Sequence, residues 1–167
     1  KLNTSMYDII QSDQVHEIGA HLIYTIPSAI NDVIVARFPN AKQQAEQSIL
    51  IKNFSAYENK NNAYLYINNK NLNITVFKNK KLIFNNSFNF NTKEDLLYFT
   101  LFTFEQLKID PETIKVNLYE DIIKGDENYQ LLFEYIRHIT FGSRSKNISF
   151  SSEFNTLEEH QFYVLLN

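Results

Sequence analysis

The sequence predicts an α/β fold, and three observations in the stretch from Ala63 to Tyr119 predict it. Apolar and polar residues alternate through three short segments, Asn-rich turns join those segments, and a strongly apolar helical segment then leads into a fourth strand-like run. Period two puts Ala63, Leu65 and Ile67 on one face of the first strand, and Leu72, Ile74 and Val76 on one face of the second. Leu82, Phe84, Phe88 and Phe90 do the same in the third. Asn68-Asn69-Lys70-Asn71 and Lys78-Asn79-Lys80-Lys81 place Asn where a hairpin needs positive φ, which Asn tolerates better than other non-glycine residues. An antiparallel meander is expected. The pattern points to a fold and not to an activity.

Thr92-Lys93-Glu94-Asp95 reads as a helix start, with the Thr hydroxyl capping amides and early acids suiting the positive end of the dipole. The helix is expected from Thr92 to about Lys108, with Asp110-Pro111 ending it. Leu96, Leu97, Tyr98, Phe99, Leu101, Phe102, Phe104 and Leu107 exceed a single apolar stripe. Two-sided packing is therefore expected, on the sheet and on another layer. Ile114, Val116 and Leu118 form the fourth strand, which a crossover would lay parallel to the first.

Before this stretch, Thr4 to Ser12 reads as a short helix with Tyr7, Ile9 and Ile10 on its apolar side. A strand follows from about Ala20 to Ile26, and then Pro27 opens a helix that carries Ile30, Ile34 and Val35 and ends near Phe38-Pro39. Ala41, Ala45, Ile49, Leu50 and Phe54 predict another helix, to about Tyr57. The polar run Glu58-Asn59-Lys60-Asn61-Asn62 reads as a linker, so residues 1–57 form an incomplete αβα portion and residues 63–167 a second lobe.

After the fourth strand, Glu120-Asp121 and Gly125-Asp126 make a loop. Tyr129, Leu132, Phe133 and Ile136 line a helix expected to stop near Phe141-Gly142, Ile148 and Phe150 mark a fifth strand, and Leu157 to Leu166 is a terminal helix or strand. The second lobe thus reads β-β-β-α-β-α-β-(α). That order is the ribonuclease-H-like unit from which actin-like ATPases build each of their halves.

Composition bounds the function. The 167 residues are 44% hydrophobic, enough for one well-buried core or two small lobes. A net charge of −3 argues against nucleic acid or an anionic membrane surface as partner. The basic run Lys78, Lys80 and Lys81 sits on a hairpin tip and reads as a solvated turn. With no Cys, disulfides, thiolate metal sites and a Cys nucleophile are excluded, and a cytoplasmic location is favoured. The run from Leu96 to Phe104 is about half the length needed to span a bilayer, so no membrane partner is expected. The chain begins at Lys1 without an initiator Met, is expected to carry no signal peptide, and reads as a fragment.

The run Leu82-Ile83-Phe84-Asn85-Asn86-Ser87-Phe88, with Thr92 to Tyr98 and Gln106-Leu107-Lys108-Ile109-Asp110, resembles bacterial domain-of-unknown-function family 3822. Ala20-His21-Leu22-Ile23-Tyr24 and Arg37-Phe38-Pro39 are similar too. The resemblance covers most of the chain and implies an actin-like ATPase fold without a known chemistry.

That fold raises the ATPase reading, in which Asp-x-Gly at the first turn of each half lets Gly amides approach phosphate while Asp holds the metal or its waters. Here the corresponding place is Tyr66-Ile67-Asn68-Asn69, with neither residue type. The loop after the fourth strand, on the opposite side of the expected cleft, is Tyr119-Glu120-Asp121 where a Gly-rich backbone would be needed. Tyr66, Asn68, Asn69, Glu120 and Asp121 therefore read as degenerate cleft positions.

A ribonuclease-H-type nuclease needs carboxylates on the first strand, and Ala63 to Ile67 offers none. His16, His21, His138 and His160 lack metal-ligand spacing. Glu158-Glu159-His160 reads as a solvated helix face, and His138 as a helix-end residue. There is no Gly-x-Ser-x-Gly elbow. The expectation is a non-catalytic interaction or scaffold protein with no cofactor and no metal, acting through a protein partner or self-association. The alternative is a degenerate nucleotide-binding ATPase whose phosphate loop lies upstream of Lys1.

Overall fold

A computed structural model describes residues 7–56, 61–144 and 149–166. The chain divides into two compact units, residues 1–56 and 57–167. Residues 58–60 of the expected linker lie outside the described residues, and Asn61 and Asn62 open a strand.

The first unit begins with β1 (Asp8–Val15) paired antiparallel to β2 (Ala20–Pro27), joined by a single 3-10 turn over His16–Ile18 and by Gly19 at φ 63°. The expected helix over Thr4 to Ser12 is thus replaced by a strand over its described part. Eight cross-strand partners, from Asp8↔Pro27 to Val15↔Ala20, satisfy the backbone in a way a short isolated helix could not. Two helices follow, α1 (Ser28–Arg37) and α2 (Glu46–Ser55), and Ala41 precedes the second one outside any helix. Asp13 is buried on β1, where one carboxylate oxygen accepts from the Ala45 amide at the head of α2 (2.7 Å) and the other from the Tyr24 hydroxyl (3.2 Å). Burial first, then the Asp13 charge and hydrogen bond, hold the Tyr24 phenol above its ordinary value.

The second unit is a five-stranded mixed sheet with helices. Strands β3 (Asn61–Asn68), β4 (Asn71–Lys78) and β5 (Lys81–Asn89) form the expected meander. Its turns use Asn69 at φ 55° and then Asn79 and Lys80 at φ 51° and 63°. Next come α3 (Lys93–Gln106), β6 (Lys115–Glu120), α4 (Glu127–Tyr135) and β7 (His138–Phe141), giving the strand order β5-β4-β3-β6-β7. β6 lies parallel to β3, as expected, and β7 parallel to β6.

Helix α3 starts with a capping box in which the Thr92 hydroxyl accepts from the Asp95 amide and the Asp95 carboxylate accepts from the Thr92 amide. It ends before Asp110-Pro111, through a Schellman turn. Ile109 N–H reaches the Phe104 carbonyl (2.8 Å) and Lys108 N–H the Glu105 carbonyl (3.0 Å), with Lys108 at φ 54°. Its inner side, Leu96 and Phe104, joins one core with Leu65, Ile74, Val116, Leu118 and Leu132. The expected burial on both sides is not found: Tyr98 is 59% and Phe102 43% exposed.

Four further expectations are corrected. A β-bulge between Val76 and Phe77 pairs Val76 with Phe84 but Phe77 with Leu82, so Leu82 leaves the face it would share with Phe84 and Phe88. The helix after the loop ends at Tyr135, and His138 to Phe141 becomes the fifth strand, in place of Ile148 and Phe150. Of that pair, Ile148 lies outside the described residues and Phe150 is in no strand. β-branched Ile139 and Thr140 suit the open edge of β6, and pairing there outweighs one more helical turn. Gly142 does not stop a helix; its amide donates to the Leu118 carbonyl (2.9 Å), and a Cβ at this position would fall inside the Tyr119 ring. Residues 157–166, expected as a helix or strand, form turns after a 3-10 segment over Ser152–Thr156.

β3 and β4 are buried on both faces. Behind the apolar core face, Tyr64, Tyr66, Asn73 and Thr75 are each no more than 3% exposed. The polar members are hydrogen-bonded, with Thr75 Oγ1 donating to Asn73 Oδ1 (3.0 Å) and Asn85 Nδ2 donating to Thr75 Oγ1 (2.8 Å).

Candidate functional site

Parallel pairing of β3 with β6 aligns Ile67 with Glu120, so the β3–β4 turn and the loop after β6 emerge at the same edge of the sheet. From the sequence the two are expected as opposite loops, whereas the parallel pairing of β3 and β6 puts them side by side. Their contact is direct: Asp121 N–H donates to the Ile67 carbonyl (2.7 Å), and Asp121 Oδ2 accepts from the Asn69 amide (2.7 Å). Glu120, which precedes it, has φ 72°, a left-handed backbone that turns the chain sharply off the strand.

The loop is held from below by the C-terminal segment. Glu120 N–H donates to the His160 carbonyl (3.0 Å), and Glu120 Oε2 accepts from the Tyr163 amide (2.9 Å). His160, 3% exposed, donates from Nε2 to the Ile122 carbonyl (2.6 Å) and lies 4.5 Å from the Phe141 ring. Tyr163 packs on Tyr119, ring centres 4.4 Å apart. The Glu158-Glu159-His160 run is therefore not a solvated helix face, because its imidazole is a buried anchor. A polar run followed by Tyr163 and Leu166 carries no periodicity that would have revealed this.

Of the five positions singled out from the sequence, Asn68, Asn69, Glu120 and Asp121 come together at this edge, while Tyr66 is buried within the sheet. The chemistry here is acceptor chemistry, two carboxylates already receiving backbone amides. Lys70 follows Asn69 in the same turn as an exposed cation. Among the described residues, no three His, Asp or Glu side chains are placed to hold a metal ion. Nor is any described helix long and apolar enough to cross a membrane.

A second feature lies on the helical layer. Tyr98 and Phe102 stack with ring centres 5.6 Å apart along the outer side of α3, bordering a groove of about 370 Å³ whose other wall is Leu131 and Tyr135 of α4. The aromatic richness of this helix is legible in the sequence, but which side stays open is not.

No curated protein matches the chain. A crystal structure from Bacteroides thetaiotaomicron VPI-5482, described as a protein with actin-like ATPase fold and unknown function, is similar with a TM-score of 0.75 and 19% identity. The match covers 84% of this chain and 56% of that one, so the chain spans little more than half of its neighbour's length. At this identity the likeness establishes the fold, an α/β actin-like ATPase fold, and nothing of its chemistry. A family model described as Protein of unknown function (DUF3822) matches residues 1–139, and the chain belongs to that family.

Proposed function

We propose that this chain is a non-catalytic actin-like-fold protein that works through protein contact, as an interaction or scaffold module. The observation that carries the reading is the Asp121 carboxylate seated on the Asn69 amide, in a turn that has neither Asp nor Gly. A phosphate group at such a turn would depend on backbone amides, and this one is engaged. It would also approach Glu120 and Asp121, and two unit charges about 4 Å apart repel by roughly 1 to 4 kcal/mol between bulk water and a protein surface. Tyr66, Asn68, Asn69, Glu120 and Asp121 are, on this reading, a degenerate cleft edge. Its residues do not fit a magnesium nucleotide, and no step is assigned to one.

On this reading residues 1–57 are part of a first actin-like lobe and residues 63–167 a ribonuclease-H-like second lobe, in a cytoplasmic protein. A protein partner or self-association is supported by the apolar surface left open in the first unit, where α1 buries no residue and Tyr7 and Phe38 are 71% and 62% exposed. The net charge of −3 supports a partner other than nucleic acid.

Thermal denaturation with and without Mg-ATP tests the proposal. A ligand at a hundred times its dissociation constant adds about 2.7 kcal/mol, and each kcal/mol moves the midpoint of a chain this long by about 2–4 °C. We expect no shift. A rise of about 5 °C or more that disappears without magnesium would overturn the reading.

A further inference from the structure

We propose that the groove between α3 and α4 docks a basic amphipathic helix from a partner protein. The inference deepens the interaction reading above and rests on it.

The groove's α3 wall is one stripe. Leu97, Tyr98, Leu101 and Phe102 follow each other at the three- and four-residue spacing of a single helix face, and Glu94 and Glu105 close its two ends. Those acids stand eleven positions apart, three turns or about 16 Å of helix. On α4, Leu131 and Tyr135 stand one turn apart and form the opposite wall. Leu97, Leu101 and Leu131 are half-buried and make a floor, while Tyr98, Phe102 and Tyr135 rise above it at 59%, 43% and 50% exposure. Rigid aromatic side chains over an aliphatic floor are what a helix-in-groove contact uses, because they offer large area at little entropic cost.

Charge selects the occupant. α3 and α4 carry Glu94, Asp95, Glu105, Glu127 and Glu134 against a single cation, Lys93, which is paired with Glu127 at 3.3 Å. Asp95 is committed to the capping box. Glu94, Glu105 and Glu134 remain, and the first two form an acidic rim at both ends of an apolar groove. A second copy docking through this same face would bring the same acids onto these acids. A helix with an apolar stripe and Lys or Arg about three turns apart would match both the floor and the rim.

The test uses the whole 167-residue chain and a synthetic amphipathic peptide of Leu, Ala and Lys, about five turns long, with lysines spaced to meet Glu94 and Glu105. Amide chemical shifts should move along α3 and α4, and a counterpart with Glu in place of Lys should bind about tenfold more weakly or worse. Combining Glu94→Lys with Glu105→Lys should reverse that preference, and these exposed changes leave the core intact. Combining Tyr98→Ala with Phe102→Ala should weaken the basic peptide by about tenfold or more. The assignment is overturned by no binding of the basic peptide, by equal affinity for both peptides, or by shifts confined to other surfaces. It is also overturned if the groove proves to hold a second copy, seen as self-association that Tyr98→Ala and Phe102→Ala abolish. Failure with an unchanged midpoint in Mg-ATP removes the groove alone; a raised midpoint removes the non-catalytic reading.

Discussion

The Asp121 carboxylate accepts the Asn69 amide at 2.7 Å, joining the turn after β3 to the loop after β6 although 52 residues separate them in sequence. Both ends of this bond are exposed, so it contributes modestly. Asp121→Ala should cost about 1 kcal/mol in chemical denaturation, and the Asn69 amide should exchange its hydrogen faster. An unchanged exchange rate would show that the carboxylate does not hold the turn.

The core side of α3 and its outer side should respond differently. Leu96→Ala or Phe104→Ala, both fully buried, should cost about 2–5 kcal/mol, whereas Phe102→Ala on the open side should cost less than about 1 kcal/mol. Equal losses at Phe104 and Phe102 would mean that the outer face is covered.

Gly142 has no room for a side chain beneath the buried Tyr119 ring. Gly142→Ala should therefore destabilise by about 1–3 kcal/mol through displacement of that ring. Gly125, with nothing near its missing Cβ but φ 93°, should also lose stability on change to Ala, through backbone strain alone. Tyr119 ring resonances should move in the first variant and stay in the second.

The capping box gives a pH signature. Hydrogen bonds from the Asn91 amide and then the Thr92 amide hold the Asp95 carboxyl below its ordinary value. A lowered carboxyl pKa means stability that is present above the unfolded value and is lost as pH falls through the folded one. Asp95 should accordingly titrate below the ordinary range by carbon-detected NMR. Titration at or above the ordinary value would show the cap unformed.

Much of the second unit was legible because its periods are clean. Alternation through Ala63–Ile67 and Leu72–Val76 and the Thr92 cap are local signals, and they gave the meander and the α3 start correctly. The errors fall where pairing is non-local. Tyr7, Ile9 and Ile10 suit either a helix turn or a strand, and only β2 decides between them. His138 to Phe141 continues the apolar pattern of α4 but pairs with β6, and the bulge at Phe77 moves Leu82 without any sequence mark. At the site, residue types were readable, since the missing Asp and Gly are visible at once. Their proximity was not, because it depends on β3 and β6 lying side by side. The buried role of His160 was hidden for the same reason: its partners are Ile122 and Phe141, far away in sequence.

An amide chemical-shift titration with Mg-ATP reads directly what the Asn69–Asp121 edge accepts. The Asn69 and Asp121 amide resonances should stay in place up to millimolar nucleotide. Saturating, magnesium-dependent shifts of those two amides well below a millimolar would contradict the non-catalytic reading.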